Sequence, residues 1–226
     1  MKRGTKMGYS VAIDGPAGAG KSTIAKKVAK QLGFIYVDTG AMYRAMALHM
    51  LRNGISAEDA AAISAACESA DVTIEHRNGE QVVLLNGENV NGLIRTEEVG
   101  NMASASSVNA DVRKKLVSLQ QKLAKKTDVI MDGRDIGTVV LPDADVKVYL
   151  TASSRVRAKR RYDELVQKGE SCSLDTIEQD IIERDNRDMH REISPLRQAE
   201  DAVLVDSSDM TIDEVVDKII SLTDRG

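Results

Sequence analysis

The chain is poor in aromatics: five Tyr, one Phe and no Trp make up 3% of its 226 residues. A platform on which single-stranded bases stack is therefore excluded, and the core must be built from Val, Ile, Leu, Ala and Met. Cysteine is also scarce. Cys67 and Cys172 lie far apart, with no second pair and no His-rich neighbourhood, which excludes a disulfide framework and a cysteine-based zinc site. Apolar runs are only strand-length, and the basic start Met1 to Lys6 leads into Gly8-Tyr9-Ser10 without a signal-type segment. No membrane partner and a cytoplasmic location are the expectation. Positive charge is not in excess. Lys and Arg number 31 against 35 Asp and Glu, a net charge of −4, which argues against a nucleic-acid polymer as partner.

What is present is an ordinary globular balance, 42% hydrophobic and 29% charged, in a length that suits one α/β domain with an insertion. Tyr9 to Ile13 reads as a strand, and Lys21 to Leu32 as a helix ended by Gly33. Phe34 to Val37 repeats the strand, and a helix through Met42, Met46 and Met50 stops at Asn53-Gly54. The rhythm then breaks. Asp71 to His76 and Gln81 to Asn86 alternate like half-buried strands around Asn78-Gly79, the signature of a small antiparallel insertion. A helix over about 110–125, strands at 129–131 and 146–150, and charged helices over 153–169 and 174–191 follow. A last strand at 202–205 and an amphipathic helix capped by Thr211 or Asp209 close the chain. Five core strands interleaved with helices imply an α/β, doubly wound parallel sheet.

Gly15-Pro16-Ala17-Gly18-Ala19-Gly20-Lys21-Ser22 satisfies G-x-x-x-x-G-K-[ST] between a strand and a helix, the context the phosphate-binding loop requires. Glycines let the backbone wrap phosphate, amides and the helix N-terminus present positive ends, Lys21 neutralises transferring oxygens, and the Ser22 hydroxyl can ligate Mg²⁺. A nucleoside triphosphate is the expected ligand, over Gly15 to Thr23. Asp132 ends an apolar strand and reads either as a Mg²⁺-ordering acid or as a plain turn residue.

Phosphoryl transfer needs positive charge around the migrating group more than a strong base, so arginines near strand ends become informative. Arg44 follows the Asp38-Thr39-Gly40 loop, and Arg134 and Asp135 follow the strand that ends at Asp132. Arg184, Asp188 and Arg191 stand at i, i+4 and i+7. They form one helix face that is either a ligand surface or a solvated, salt-bridged one. The run Arg155, Arg157, Lys159, Arg160 and Arg161 can close over nucleotide phosphates as a lid at about 153–170, and Arg157 is grouped with the ATP-binding residues.

Asp38-Thr39-Gly40-Ala41-Met42-Tyr43-Arg44, Ile94-Arg95-Thr96-Glu97-Glu98-Val99, Asp132-Gly133-Arg134-Asp135-Ile136-Gly137 and Glu183-Arg184-Asp185, taken with the glycine loop, make the chain resemble the bacterial cytidylate kinase family. The resemblance covers nearly everything after the first few residues. It implies a nucleoside monophosphate kinase fold: a core over 9–65 and 106–226, a monophosphate-binding insertion over about 66–105, and a short helical lid. It implies ATP and Mg²⁺ as cofactors, CMP and dCMP as substrates, and a monomer. By the same resemblance Lys21, Arg134 and Arg191 are catalytic, and Arg44, Arg134 and Arg191 hold the acceptor phosphate. Arg184 and Asp188 lie near the ribose, while Ser104, Arg113 and Asp135 meet the cytosine ring. Thr39 stands where some relatives carry Ser, and both supply a hydroxyl. The competing readings are a kinase for UMP or shikimate, and a nucleotide-dependent binding switch, although no Asn-Lys-x-Asp guanine motif occurs.

Overall fold

A computed structural model describes residues 8–77 and 79–223. The basic leader Met1 to Lys6 and Asn78 of the expected turn lie outside the described residues. In chain order the elements are β1 (Ser10–Asp14), α1 (Lys21–Leu32), β2 (Ile35–Asp38), α2 (Thr39–Arg52), α3 (Ala60–Ser69), β3 (Val72–Arg77), β4 (Glu80–Leu85) and β5 (Glu88–Asn89). They continue as α4 (Glu97–Ser106), α5 (Ala110–Ala124), β6 (Val129–Gly133), a π-type turn (Ile136–Val140), β7 (Val146–Thr151), α6 (Ser154–Gln167), α7 (Leu174–His190), β8 (Val203–Asp206) and α8 (Ile212–Ser221). A five-stranded parallel sheet runs β2-β6-β1-β7-β8, and a three-stranded antiparallel sheet runs β3-β4-β5. Among the described residues no helix is long and apolar enough to cross a membrane.

The chain divides into two compact units. One takes in Gly8 and Ile35–Val129, the other Tyr9–Phe34 and residues 130–223. In the second unit β1 is buried along its whole length, as a central parallel strand covered on both faces must be. Val11 pairs in register with Val146, and Asp14 with Tyr149. α1 turns Ile24, Ala25 and Val28 inward and packs on α8, whose Val215, Val216 and Ile219 are buried. Thr211 caps α8 through a reciprocal capping box with Glu214, which settles the choice between Thr211 and Asp209.

In the first unit Met42, Met46 and Met50 fall on one face of α2 and are fully buried, because spacings of four keep side chains on one side of a helix. That helix packs on α4 and β4, while α3 packs on α5. The β3–β4 hairpin alternates as its sequence predicts, with Val72 opposite Leu85 and Ile74 opposite Val83. Four elements go beyond the sequence reading: α3, β5, α4 and the π-type turn.

Candidate active site

In the second unit β1 delivers the chain to Gly15, where a Cβ would stand 1.9 Å from the Leu150 carbonyl oxygen, so no other residue fits between the loop and β7. The loop then turns into α1 through Gly20 in the left-handed region (φ 85°), with no side chain capping the helix. The first amides of α1 therefore point at the loop's interior, the arrangement that binds phosphate. Lys21 is buried there and donates from Nζ to the Pro16 carbonyl at 2.7 Å. Burial, and next the nearby Arg134 charge, push Lys21 down to about 7 against the opposing pull of Asp132, Asp14 and Asp188.

Ser22 Oγ donates to Asp132 Oδ2 at 2.9 Å, joining the start of α1 to the end of β6. Two hard oxygens side by side suit Mg²⁺, which binds few protein groups and leaves the rest of its shell to phosphate and water. Among the described residues no cluster of three or more His, Cys, Asp or Glu ligands occurs.

Arg134 donates from Nε to Asp188 Oδ2 at 2.9 Å, a link across 54 residues between β6 and α7. Burial raises the Asp188 carboxyl, but Arg134, Arg184 and Arg191 more than offset this and hold it below the usual carboxylate range. Arg184, Asp188 and Arg191 thus do gather, but not on one helix face. The helix ends at His190, Arg191 is extended (φ −64°, ψ 142°), and its Nε donates to the Ser194 carbonyl at 2.6 Å. Beyond His190 the chain folds back so that Leu196 N donates to the Asp188 carbonyl at 2.8 Å, and Pro195, which has no N–H to give, cannot continue the helix.

The basic run of α6 sorts itself by burial. Arg155 lies exposed and pairs with Asp175 and Glu178 of α7. Arg157 turns inward: Nε donates to Ala152 O at 2.9 Å, Nη1 to Ala17 O at 2.9 Å, and Nη2 to Asp185 Oδ2 at 2.6 Å. It braces the glycine loop from behind. Asp135 is buried immediately after β6.

In the first unit Thr39 is the buried first residue of α2, and Asp38 caps that helix by accepting from Ala41 N at 2.8 Å. The same carboxylate accepts from Arg44 Nη2 at 3.2 Å and from Arg95 Nη2 at 2.7 Å. Burial raises the Asp38 carboxyl, and the two guanidiniums bring it below its ordinary value. Gln81 of β4 brackets the residue, accepting from Asp38 N at 2.8 Å and donating to Asp38 O at 3.2 Å. Arg113 is buried on α5 with its guanidinium carbon 5.9 Å from the Tyr43 ring centre, and Nη1 donates to Ser107 O at 3.4 Å. Ser107 Oγ in turn donates to Ser104 O at 2.8 Å. Ser107 thus links Arg113 to Ser104 through two hydrogen bonds.

Sequence reasoning left out Asp14, Asp38, Gln81, Arg95 and Asp185. Arg95 sat inside a quoted segment and Asp14 directly before the glycine loop, but neither position carries a spacing that would have marked it.

A family model described as cytidylate kinase matches residues 11–225. A protein of Caldicellulosiruptor bescii named cytidylate kinase is 51% identical over 94% of each chain. One of the same name from Carboxydothermus hydrogenoformans is 48% identical over 95% of this chain and 97% of its own. Another from Lactobacillus johnsonii is 49% identical over 99% and 97%.

Proposed function

We propose, for a chain that belongs to the cytidylate kinase family and is a phosphotransferase, that it moves the terminal phosphoryl group of ATP onto the phosphate of CMP or dCMP. The observation that carries this reading is the grouping around the glycine loop. Buried Lys21 feels Arg134, Asp132 and Asp188 together, so one loop gathers the cation, the metal-ordering acid and the acceptor arginine that transfer needs. Gly15 to Thr23 would hold the ATP phosphates, with Arg157 supporting the loop from behind. Ser22 and Asp132 would hold Mg²⁺, which when bound neutralises charge on the phosphate oxygens.

Arg134 and Arg191, with Arg44, would hold the acceptor phosphate, and Thr39 would offer its hydroxyl there. Arg184 and Asp188 would face the ribose. Ser104, Arg113 and Asp135 would meet the base, where a carboxylate accepts from the exocyclic amine of cytosine and a guanidinium donates to ring acceptors. Uracil reverses part of that donor pattern, which is a stronger basis for rejection than pocket size. No strong base is required, because the acceptor phosphate is already anionic. The hairpin of β3 and β4 fits the monophosphate-binding insertion over about 66–105, and α6 fits the lid over about 153–170.

The test is ADP formation from ATP and Mg²⁺ with CMP, dCMP, UMP, AMP, GMP and shikimate offered one at a time. Turnover concentrated on CMP and dCMP is the expected result. Turnover on another acceptor in preference to these would remove the base assignment.

A further inference from the structure

Among the described residues two that are not glycine hold a left-handed backbone, Asn86 (φ 51°) and Ser194 (φ 51°). Asn86 is accounted for by its place: with Gly87 it forms the two-residue turn between β4 and β5, where Asn followed by Gly is the favoured pair. Ser194 has no such account. It stands directly before Pro195, a position that the proline ring pushes toward extended backbone. Its hydroxyl makes no hydrogen bond among the described residues. A left-handed residue that is neither Gly nor Asn is uncommon and costs conformational energy, so the contacts around it must hold it there.

Those contacts lie in the second unit, at the end of α7. Arg191 has left the helix, and its Nε donates to the Ser194 carbonyl at 2.6 Å. This charge-assisted bond closes across three residues, so the chain must reverse between them, and the left-handed residue supplies the reversal. Beyond it Leu196, 2% exposed, pins the segment by donating from its N to the Asp188 carbonyl at 2.8 Å, while Glu192 and Ile193 at the tip are exposed. Asp188 is tied to the segment through its backbone, and its carboxylate feels the Arg191 charge together with those of Arg134 and Arg184. The bond to Ser194 takes one of the five donors of the Arg191 guanidinium and thereby sets the plane of the whole group.

We infer that Ser194 is a positioning residue for phosphoryl transfer: its left-handed backbone turns a carbonyl onto Arg191 and fixes that guanidinium near Asp188. The inference deepens the proposed function and rests on its assignment of Arg191 to the acceptor phosphate. Arg191 keeps its bond to Ser194 throughout, and the guanidinium acts from where that carbonyl holds it. The hydroxyl has no role. What position 194 requires is a residue that tolerates this backbone, which Gly and Asn do more readily than Ser, and Val least of all.

The experiment compares wild type, Ser194→Gly, Ser194→Val, Arg191→Ala and the double variant Ser194→Val/Arg191→Ala in three measurements: kcat/KM for CMP at saturating ATP, exchange of the Arg191 Nε proton with water by NMR, and melting temperature. Ser194→Val is expected to lower kcat/KM for CMP about 10- to 100-fold and to speed the Nε exchange at least about tenfold, because the guanidinium is no longer held in place. Ser194→Gly should stay at least about tenfold above Ser194→Val in kcat/KM, and adding Ser194→Val to Arg191→Ala should cost less than about twofold more, since the two changes act through one group. Equal kcat/KM in Ser194→Gly and Ser194→Val overturns the inference. So does a loss from Ser194→Val that is as large in the Arg191→Ala background as in wild type, because residue 194 would then act on the fold and not through Arg191. If Ser194→Val melts below the assay temperature, Ser194→Ala takes its place and is read by the same two comparisons. Wild-type turnover in Arg191→Ala refutes the acceptor assignment and with it the functional half of the inference, while the positioning half is decided by the Nε proton: equal exchange in Ser194→Gly and Ser194→Val overturns it.

Discussion

Replacing Arg157 by alanine tests whether this arginine is a brace of the glycine loop, as its contacts indicate. Its guanidinium satisfies two backbone carbonyls and one Asp185 oxygen, and the side chains of the pair are 6% and 15% exposed. The other Asp185 oxygen is buried without a hydrogen bond, so removing Arg157 strands a whole carboxylate. Breaking a buried pair from one side costs about 3–5 kcal/mol, most of it the desolvated charge left behind. At about 2–4 °C per kcal/mol for a chain of this size, Arg157→Ala should melt roughly 6–20 °C below wild type. The change should also weaken nucleotide binding, because the arginine stem lies 3.5 Å from where a Gly18 Cβ would stand and supports the loop there.

Arg157→Lys should recover part of the loss, since a point charge meets Asp185 but cannot span three acceptors. In the Arg157→Ala background, Asp185→Asn should be much less harmful than in wild type, with a coupling of about 0.5–3 kcal/mol between the two sites. Scanning calorimetry and titration of a fluorescent ATP analogue supply both readouts. An Arg157→Ala protein that melts within about 2 °C of wild type would refute the argument, and one that keeps its stability but loses ATP would return Arg157 to direct nucleotide contact.

Lys21→Met should lower turnover by at least about a hundredfold with the fold intact by circular dichroism, because on the proposed function it removes the positive group that meets the transferring charge. If Asp132 orders the metal shell as proposed, Asp132→Asn should raise the Mg²⁺ concentration needed for half-maximal rate by about 10- to 100-fold at saturating nucleotides. Burial, with Asp135 adding and the Ile136 and Gly137 amides and Lys21 opposing, raises Asp14 from 3.8 to about 6. A raised carboxyl contributes stability below its unfolded value that is lost as pH rises through its folded one. Wild type should therefore lose about 3 kcal/mol between pH 3.8 and somewhat above 6 from this group, a slope that Asp14→Asn lacks in urea melts at stepped pH. The groups facing Asp14 during that titration are Asp135, Lys21, Lys147 and Tyr149.

Elements with a strong period and clear punctuation were legible in the sequence. α1 starts at Lys21 and ends at Leu32, as its apolar spacing and Gly33 predict, and α5 and α7 differ from their expected bounds only at the last residue. α3 was missed because Ala60-Ala61-Ala62-Ile63-Ser64-Ala65-Ala66 has almost no contrast between its faces. α4 hid for a related reason: Gly100, Ala103, Ser104, Ala105 and Ser106 mute the period, although Thr96 caps it by accepting from Val99 N. The turn over Ile136 to Val140 is apolar and β-branched, so its composition points to strand while the trans cap from Asp14 holds it helical. Of the candidate site, the glycine loop was readable because its chemistry is local. The partners of Arg134, Arg157 and Arg44 were not, because each depends on a carboxylate or carbonyl brought in by topology. Arg191 shows the opposite error, where extending a helical period ignored what a proline does upstream.

Asp38 carries a mechanical consequence. One carboxylate holds the start of α2, Arg44 and Arg95, and Gln81 of β4 grips the same residue's amide and carbonyl. Hairpin, helix and both guanidiniums therefore form a single cassette: whatever swings the hairpin carries the arginines along without changing their mutual spacing. The entropy of aligning two long cationic side chains is thus spent when the protein folds, so any anion that meets them would find them already set instead of having to assemble them.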